Sequence, residues 1–306
     1  MNRIYKYELL RGSKHYRCPN CNHMTFKPLV YTSDGKTIVG EEFGRCERIN
    51  SCGYLKFPNM KEMKEMKFCE KDFNNSDCYF RDETKLIPDY IDKSIVESTF
   101  CNFRENVLAR YIIKNFGSET FFNLQEKYNI GTAKNGGTIF WQEDIEGRFR
   151  TGKVFYYKPD GHRDKERASW FVHKKVKEDF NLKQCLFGEH LLKDINVKTN
   201  VALCESEKTA VLMSVLEPDF IWLASGGSEM LNAERLKVLT NENILLTVFP
   251  DNGQFDKWKE KTRFLTNRQM DYSVENAYNE GIIDKGADIL DLYLLKTDLS
   301  IFKKKK

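Results

Sequence analysis

The stretch VALCESEKTAVLMSVLEPDFIWLASGGSEMLNAERLKVLTNENILLTVFPD, residues 201–251, alternates short apolar runs with amphipathic ones. The runs 201–204, 220–225 and 244–249 have the length and composition of buried strands. A helical pattern follows each of the first two runs, and a third helix is predicted from Asp256 onward. Strands that alternate with helices predict a mostly parallel sheet with helices on both faces, and therefore an α/β fold.

Acidic residues directly follow two of these predicted strands. Glu205 comes after the first strand, and Asp251 comes after the third. Between them, residues 225–228 form a Ser-Gly-Gly-Ser turn whose glycines permit close approach of a ligand to the backbone. In parallel sheets the chemistry lies at the carboxyl ends of the strands, and carboxylates there can hold Mg²⁺. We therefore predict Glu205 and Asp251 as metal ligands, with Asp256 as a further candidate.

Three other acids of this region have alternative interpretations. Asp288 and Asp291 begin a helical pattern in GADILDLYLL and could complete an acidic patch. An aspartate before a helix usually caps it, and we predict that role for Asp288. Glu207 is predicted to be a first-turn helix acid that interacts favourably with the helix dipole.

Four cysteines near the start of the chain form two pairs. Cys18 and Cys21 are separated by two residues, Cys46 and Cys52 by five, and 24 residues lie between the pairs. A β-hairpin with its turn at residues 33–36 fits between them. This spacing predicts a zinc ribbon in which four thiolates hold a structural Zn²⁺, because so short a segment cannot bury a sufficient core alone.

The predicted ribbon leaves two questions open. His15 and His23 lie near the first pair, and either is an alternative ligand in place of one thiolate. The aromatic residues of the ribbon either stack on single-stranded bases or form its small core: Tyr16, Phe26, Tyr31, Phe43 and Tyr54. The remaining cysteines are predicted to be unligated: Cys69, Cys78, Cys101, Cys185 and Cys204.

The middle of the chain is predicted to contain a connector and a basic hairpin. Residues 59–100 are a charged connector, and two helices follow. Asn102 is the predicted N-cap of the first helix, Gly117 its end, and Ser118 the start of the second. A turn at Glu146-Gly147 separates two alternating runs, which indicates a β-hairpin.

Basic residues are concentrated in two segments. The chain has a net charge of +4, but residues 1–68 carry 13 Lys or Arg against 7 Asp or Glu, and residues 147–175 carry 9 against 3. Two such segments suggest a polyanionic partner. The candidate nucleic-acid and nucleotide-binding residues are Arg148, Arg150, Lys153, Arg163, Lys165 and Arg167, to which Lys174 and Lys175 add.

Composition narrows the class of protein. Hydrophobic residues make up 41% and charged residues 31% of the 306 residues, as in globular proteins. No apolar run approaches about 18 residues and no secretion signal is evident, so we expect a cytoplasmic protein with reduced cysteines and no membrane partner. No phosphate-binding GxxxxGK[ST] motif occurs in the sequence, which argues against a fused helicase.

The order of these motifs resembles that of bacterial DnaG-type primases, and residues 200–306 resemble the Toprim domain shared with topoisomerases. VALCESEKTAVLMSV is similar to the first Toprim strand with its glutamate and helix, and LLTVFPDNGQFDKW lies where the family has its Asp-x-Asp motif. TIFWQEDIEGRFRTGKVFYY is similar to the basic β subdomain that precedes the primase Toprim domain. GRCERINSCGY resembles zinc ribbons beside primase-like domains of bacterial mobile elements.

The resemblance implies a domain order and an activity. The domains would be a zinc ribbon at 1–58, a linker and helical connector at 59–135, a basic β subdomain at 136–199 and a Toprim-like domain at 200–306. The implied activity is the synthesis of short primers on single-stranded DNA for mobile-element replication, catalysed by Glu205 and Asp251 with Mg²⁺ or Mn²⁺. The implied partners are single-stranded DNA, nucleotides and a separate replicative helicase.

The sequence also departs from the family at two positions. Either Gly253 stands where the second aspartate of Asp-x-Asp is expected, or Asp251 aligns with that second aspartate and Phe249 stands at the first. Ser206 follows the glutamate in place of glycine. These departures keep two alternatives open: a catalytically silent DNA-binding protein of a mobile element, and a Toprim nuclease.

Overall fold

A computed structural model describes residues 7–48, 52–58, 88–227, 230–297, 299 and 302. The chain divides into two compact units, residues 1–85 and 86–306. The charged connector at 59–87, Ser228 of the glycine turn, Cys69, Cys78 and the C-terminal lysines lie outside the described residues.

The first unit is an antiparallel sheet built around one long strand. Strand β3 pairs with β1 and β4, β4 also pairs with β5, and β2 pairs with the other end of β3. A hydrogen bond from Gly35 N to Tyr31 O and a bridge between Val30 and Ile38 confirm the predicted turn at residues 33–36. The strands are β1 Tyr7–Leu9, β2 Tyr16–Arg17, β3 Met24–Tyr31, β4 Gly44–Cys46 and β5 Leu55–Lys56.

The first part of the second unit contains four helices and an antiparallel sheet in the order β6-β7-β8-β9. The turn between β7 and β8 contains Glu146 and Gly147, which confirms the predicted hairpin. The helices are α1 Lys93–Glu97, α2 Val107–Phe116, α3 Ser118–Tyr128 and the short α4 His173–Val176. The strands are β6 Ile130–Thr132, β7 Thr138–Glu143, β8 Phe149–Phe155 and β9 Trp170–Phe171.

The remainder of the second unit forms a parallel sheet in the order β11-β10-β12-β13. Its strands are β10 Thr199–Cys204, β11 Ile221–Ala224, β12 Ile244–Val248 and β13 Arg268–Met270. Its α-helices are α5 Glu207–Leu216, α6 Ala233–Leu236, α7 Phe255–Lys261, α8 Ser273–Asn279 and α9 Ile289–Lys296. The predicted mixed α/β fold with an N-terminal zinc-ribbon region is therefore confirmed, and β13 is a strand that the sequence pattern did not predict.

Aromatic residues join the two sheets of the second unit. The Phe140 ring of β7 packs edge-on against Phe187 with ring centroids 5.5 Å apart, and Phe187 stacks on Tyr128 at 5.4 Å. The Tyr128 hydroxyl donates a hydrogen bond to the carbonyl of Trp222 in β11 at 3.1 Å. These rings are fully buried, so large apolar burial fixes the antiparallel sheet against the parallel one.

The start of α2 corrects one prediction. Asn106 caps this helix by accepting a hydrogen bond from Ala109 N, whereas Asn102 has a positive φ of 53° and lies in the turn before it. The prediction of Asn102 as the N-cap was wrong. Both asparagines suit a cap, and the spacing of the apolar residues does not reveal the turn between them. Gly117 at the end of α2 and Ser118 at the start of α3 are confirmed.

Within the described residues, no helix is both long and apolar enough to cross a bilayer. The predicted boundary at residue 135, between the helical connector and the basic β subdomain, stays a prediction. So does the boundary at residue 199, between that subdomain and the Toprim-like domain.

Asn106→Ala should destabilise the second unit by about 2 kcal/mol, because the variant loses the cap and leaves buried partners unsatisfied. Asn106 Oδ1 also accepts a hydrogen bond from the Thr138 hydroxyl, and its Nδ2 donates to Thr132 Oγ1. Urea unfolding followed by tryptophan fluorescence measures the loss, since all four tryptophans lie in this unit. Asn115→Ala in the same helix is the control, and an equal loss in both variants would contradict the cap assignment.

Candidate functional site: a four-thiol centre and an acidic strand edge

The four predicted zinc ligands converge on one point in the first unit. The ligand atoms of Cys18, Cys21, Cys46 and Cys52 all lie within 4.8 Å of one another. The Sγ atoms of Cys18 and Cys52 are 3.7 Å apart, and those of Cys21 and Cys46 are 3.9 Å apart. A tetrahedral Zn²⁺ with Zn–S bonds of about 2.3 Å would separate its sulfurs by about 3.8 Å, so the geometry fits a closed structural zinc site.

Neighbouring polar groups support the thiols. Asn20 Nδ2 donates to Cys52 Sγ at 3.4 Å, and this hydrogen bond is the largest contribution that lowers the pKa of Cys52 to about 6. Burial raises the pKa of Cys18 to about 11. A bound zinc ion would overcome that cost, because a coordinating thiol is held as its thiolate.

The ribbon's histidines lie outside the ligand group, and two of its aromatic residues belong to its core, which was one of the two roles considered for them. His15 contacts Glu47 at 2.5 Å and His23 contacts the Cys21 carbonyl at 2.7 Å, and neither belongs to the ligand group. Phe26 and Phe43 are buried and form the small core, while Tyr16, Tyr31 and Tyr54 are half-buried. The sequence analysis did not single out the exposed large hydrophobic residues of this unit, which among the described residues are Met24, Leu55 and Phe57.

The acidic site of the second unit lies at the carboxyl edge of the parallel sheet. Glu205 directly follows β10, and Asp251 follows β12 by three residues. Strand β10 pairs in parallel with both β11 and β12, so the ends of the three strands lie side by side. The Gly226 turn is joined to this edge by a hydrogen bond from Gly226 N to Glu205 O at 2.9 Å.

The carboxylates at this edge repel one another. Burial is the main cause that raises the pKa of Asp251, and together with the charges of Asp288, Glu205 and Asp291 it brings this pKa to about 8. Burial also raises the pKa of Asp288, with the charge of Asp291 as the next cause. A concentration of negative charge in carboxylate oxygens is the donor chemistry that Mg²⁺ or Mn²⁺ prefers.

These acids do not form a closed ligand cage. Among the described residues, the four cysteines are the one group of three or more metal-binding side chains whose ligand atoms lie within 4.8 Å of one another. Asp256 is an exposed residue in the first turn of α7, and its predicted role as a ligand stays a prediction. Carboxylate oxygens are the ligands that Mg²⁺ prefers, but the described acids of this edge do not converge closely enough to enclose an ion by themselves.

Asp288 caps helix α9, as predicted. Its side chain accepts a hydrogen bond from Asp291 N, and Asp291 accepts one from Asp288 N, which forms a reciprocal capping box. The other oxygen of Asp288 accepts a hydrogen bond from the Thr209 hydroxyl of α5. The cap thus joins α9 to the helix that follows Glu205.

The loop after Asp251 is held by Glu275 of α8. Asn252 donates to Glu275 Oε2 at 3.1 Å, and Gly253 N donates to its Oε1 at 2.5 Å. Gly253 in this loop has a φ of +77°. Glycine adopts this left-handed conformation without strain, so this residue matches the local backbone.

Lys153 of β8 reaches this edge from the antiparallel sheet. Its Nζ lies 3.2 Å from Glu207 Oε1 and donates to the Gly226 carbonyl at 2.5 Å. Glu207 is the first residue of α5, as predicted for a first-turn acid, but its side chain is only 4% exposed and pairs with this lysine. Sequence reasoning missed the pairing, since no pattern connects two residues in different sheets.

The other predicted basic residues take separate positions. Arg148 and Arg150 both pair with Asp144, at 3.0 Å and 2.6 Å, and both lie against the Tyr90 ring. The remaining three lie along the following loop, where Arg163 packs over Phe155, Arg167 packs over Tyr156 and Lys165 is exposed. Lys208, which was not predicted, lowers the pKa of Asp288 and so contributes positive charge at the acidic edge.

Purified protein should contain one Zn²⁺ per chain, and Cys46→Ser should lose it, because replacing one thiolate opens a tetrahedral site. Metal analysis measures the zinc content, and proteolysis measures whether the ribbon has lost its fold. Cys101→Ser is the matched control, since Cys101 is an exposed free cysteine outside the group. Equal zinc content in both variants would contradict the assignment.

The contribution of Asp251 to the stability of the second unit should fall as the pH rises from about 4 to about 8. Unfolded Asp251 loses its proton near its ordinary pKa of 3.8, whereas the folded protein keeps it until about 8, so rising pH favours the unfolded state across this window. Asp251→Asn should flatten the dependence, and added Mg²⁺ should reduce it. Urea unfolding at pH 5 and pH 8 measures this, with the exposed Asp284→Asn as control; an unchanged slope in Asp251→Asn would refute it.

Comparisons with known proteins match both parts of the chain. A zinc beta-ribbon finger family matches residues 5–67, and a domain family of unknown function, DUF6371, matches residues 106–252. No curated protein matches significantly.

Among solved structures, the primase fragment of the bacteriophage T7 primase-helicase protein is similar over 57% of this chain and 69% of its own, at 14% identity and a TM-score of 0.33. The Aquifex aeolicus primase, comprising its zinc-binding and RNA polymerase domains, is similar over 97% of this chain and 85% of its own, at 12% identity and a TM-score of 0.35.

Proposed function

We propose that this protein is a primase-like nucleotidyltransferase that makes short primers on single-stranded DNA, using Mg²⁺ or Mn²⁺, in the replication of a mobile element. One observation carries the proposal. Four carboxyl groups interact near the carboxyl edge of a parallel sheet, those of Glu205, Asp251, Asp288 and Asp291, and cationic side chains lie near this edge. Transfer of a nucleotide requires both negative and positive side chains, because the acidic ones bind the metal ion and the basic ones bind the phosphates.

Glu205 and Asp251 would hold the divalent ion, with Asp256 as a further candidate. When bound, that ion neutralises charge that develops on the leaving pyrophosphate. Asp251 must give up its proton to act as a ligand, because only the ionised carboxylate binds a cation well. Asp288 remains the N-cap of α9, and it acts on the metal site through its charge and not as a ligand.

The basic side chains supply the phosphate contacts. Lys153 lies directly at the Gly226 turn, and Lys208 lies on the first turn of the helix after Glu205. These two suit the incoming nucleotide, whose phosphates would lie over the strand edge. Arg163, Lys165 and Arg167 lie on the loop beyond β8 and suit the phosphates of the template strand.

The zinc ribbon would contact single-stranded DNA and select where synthesis begins. Its exposed Phe57 directly follows strand β5, and exposed aromatic side chains of this kind stack on unpaired bases. A separate replicative helicase would expose the template, and the reaction would take place in the cytoplasm.

Two observations favour a catalytically silent DNA-binding protein as the second candidate. Gly253 or Phe249 stands in place of an aspartate of the family motif, and no three acids in the described part of the chain converge within 4.8 Å. A protein of this kind would bind DNA through the same basic residues and leave the acidic edge unused.

Wild-type protein incubated with single-stranded DNA, Mg²⁺ or Mn²⁺ and labelled nucleotides should form short new strands. Glu205→Gln and Asp251→Asn should each reduce synthesis by about a hundredfold or more, because each removes a charged ligand of the metal. Glu260→Gln, an exposed acid on α7 that pairs with Arg263, should remain active.

The alternatives give different products. DNA binding without synthesis in any variant would support the silent DNA-binding protein. Shortened DNA in the absence of nucleotides would indicate a nuclease. Equal synthesis by wild type and Glu205→Gln would show that the acidic edge is not the catalytic site.

A further inference from the structure

The ion pair between Lys153 and Glu207 is mostly buried. The side chain of Lys153 is 13% exposed and that of Glu207 is 4% exposed. Burying two charges is costly unless they are paired with good geometry. Here the pairing is incomplete, because Glu207 Oε1 lies 3.2 Å from the ammonium yet accepts no well-aligned hydrogen bond from any described residue.

The same ammonium group is attached to the glycine turn at the sheet edge. Lys153 Nζ donates to Gly226 O, and Gly226 N donates to Glu205 O. Gly226 has a φ of +75°, and a Cβ there would lie only 2.9 Å from Glu207 Oε1 and 3.5 Å from Lys153 Nζ. The turn therefore fits closely against the pair, and it places the ammonium beside the backbone of the proposed catalytic acid.

An ammonium group has three donors, and Gly226 O takes one of them in a well-formed hydrogen bond. Glu207 attracts the ammonium by charge but does not bind it in an aligned geometry. This arrangement suits a lysine that is held in place by one acid and presented to a second anion. It does not suit Glu207 as a metal ligand, since its oxygen faces a positive charge.

We propose that Glu207 is a positioning residue, which holds the Lys153 ammonium at the Gly226 turn so that it contacts the phosphates of an incoming nucleoside triphosphate. This inference rests on the proposed nucleotidyltransferase function and adds a residue to it. Glu207 does not touch the nucleotide; its effect passes through Lys153.

A double-mutant cycle on nucleotide binding tests the proposal. The probe is a fluorescent ATP analogue with Mg²⁺, titrated into the full chain as wild type, Lys153→Met, Glu207→Gln and the double variant. We expect Lys153→Met and Glu207→Gln each to weaken binding about tenfold, which corresponds to one lost charge-assisted contact. The double variant should bind no worse than Lys153→Met, because Glu207 acts through the lysine.

Two controls separate positioning from stability. Glu234→Gln breaks the exposed Lys183–Glu234 pair of the same unit and should bind as wild type. Glu207→Asp keeps the charge with a shorter side chain and should bind more tightly than Glu207→Gln at equal melting temperature. If Glu207→Gln is active in primer synthesis, its KM for nucleotide should rise while kcat changes less.

The outcomes are distinguishable. The positioning role would be overturned if Glu207→Gln bound the nucleotide as tightly as the wild type. It would also be overturned if the losses of affinity in the two single variants added in the double variant. Either result would leave the proposed function intact. No nucleotide binding by folded wild type would overturn the proposed function and this inference with it.

Discussion

The parallel pairing of β10 with β11 on one side and β12 on the other determines where the chemistry of the second unit can occur. Cys204 is in register with Ala224, and Leu203 with Val248, so the three strands end at the same edge. The residues that directly follow each strand must then lie close together, however far apart they are in the sequence. Glu205, the Gly226 turn and Asp251 are neighbours for this reason, although 46 positions separate the two acids in sequence.

The antiparallel sheet completes this edge by adding positive charge. Burial of Phe140, Phe187 and Tyr128 between the sheets fixes β8 close enough for Lys153 to reach the turn after β11. The apolar core thus determines an electrostatic contact. A charge brought to the edge by a rigid sheet needs little further ordering when a ligand arrives, which is the usual advantage of a preorganised site.

The sequence predicted those features that local patterns encode. Apolar runs located β10, β11 and β12, paired cysteines located the thiol centre, and an aspartate before a helical pattern located the cap at Asp288. Strand β13 was missed because its three residues, Arg268–Met270, are mostly polar and carry no apolar run. The pairing of Glu207 with Lys153 was missed because contacts between different sheets depend on packing, which periodicity does not describe.

The proton that Asp251 retains has a consequence for ion binding at this edge. At neutral pH the carboxyl is mostly protonated, since its pKa is raised to about 8 by burial and by its acidic neighbours. A divalent cation that binds there must displace this proton, so cation uptake and proton release become a single exchange. The apparent affinity of the edge for such a cation would then rise as the surroundings become more alkaline and fall as they become more acidic.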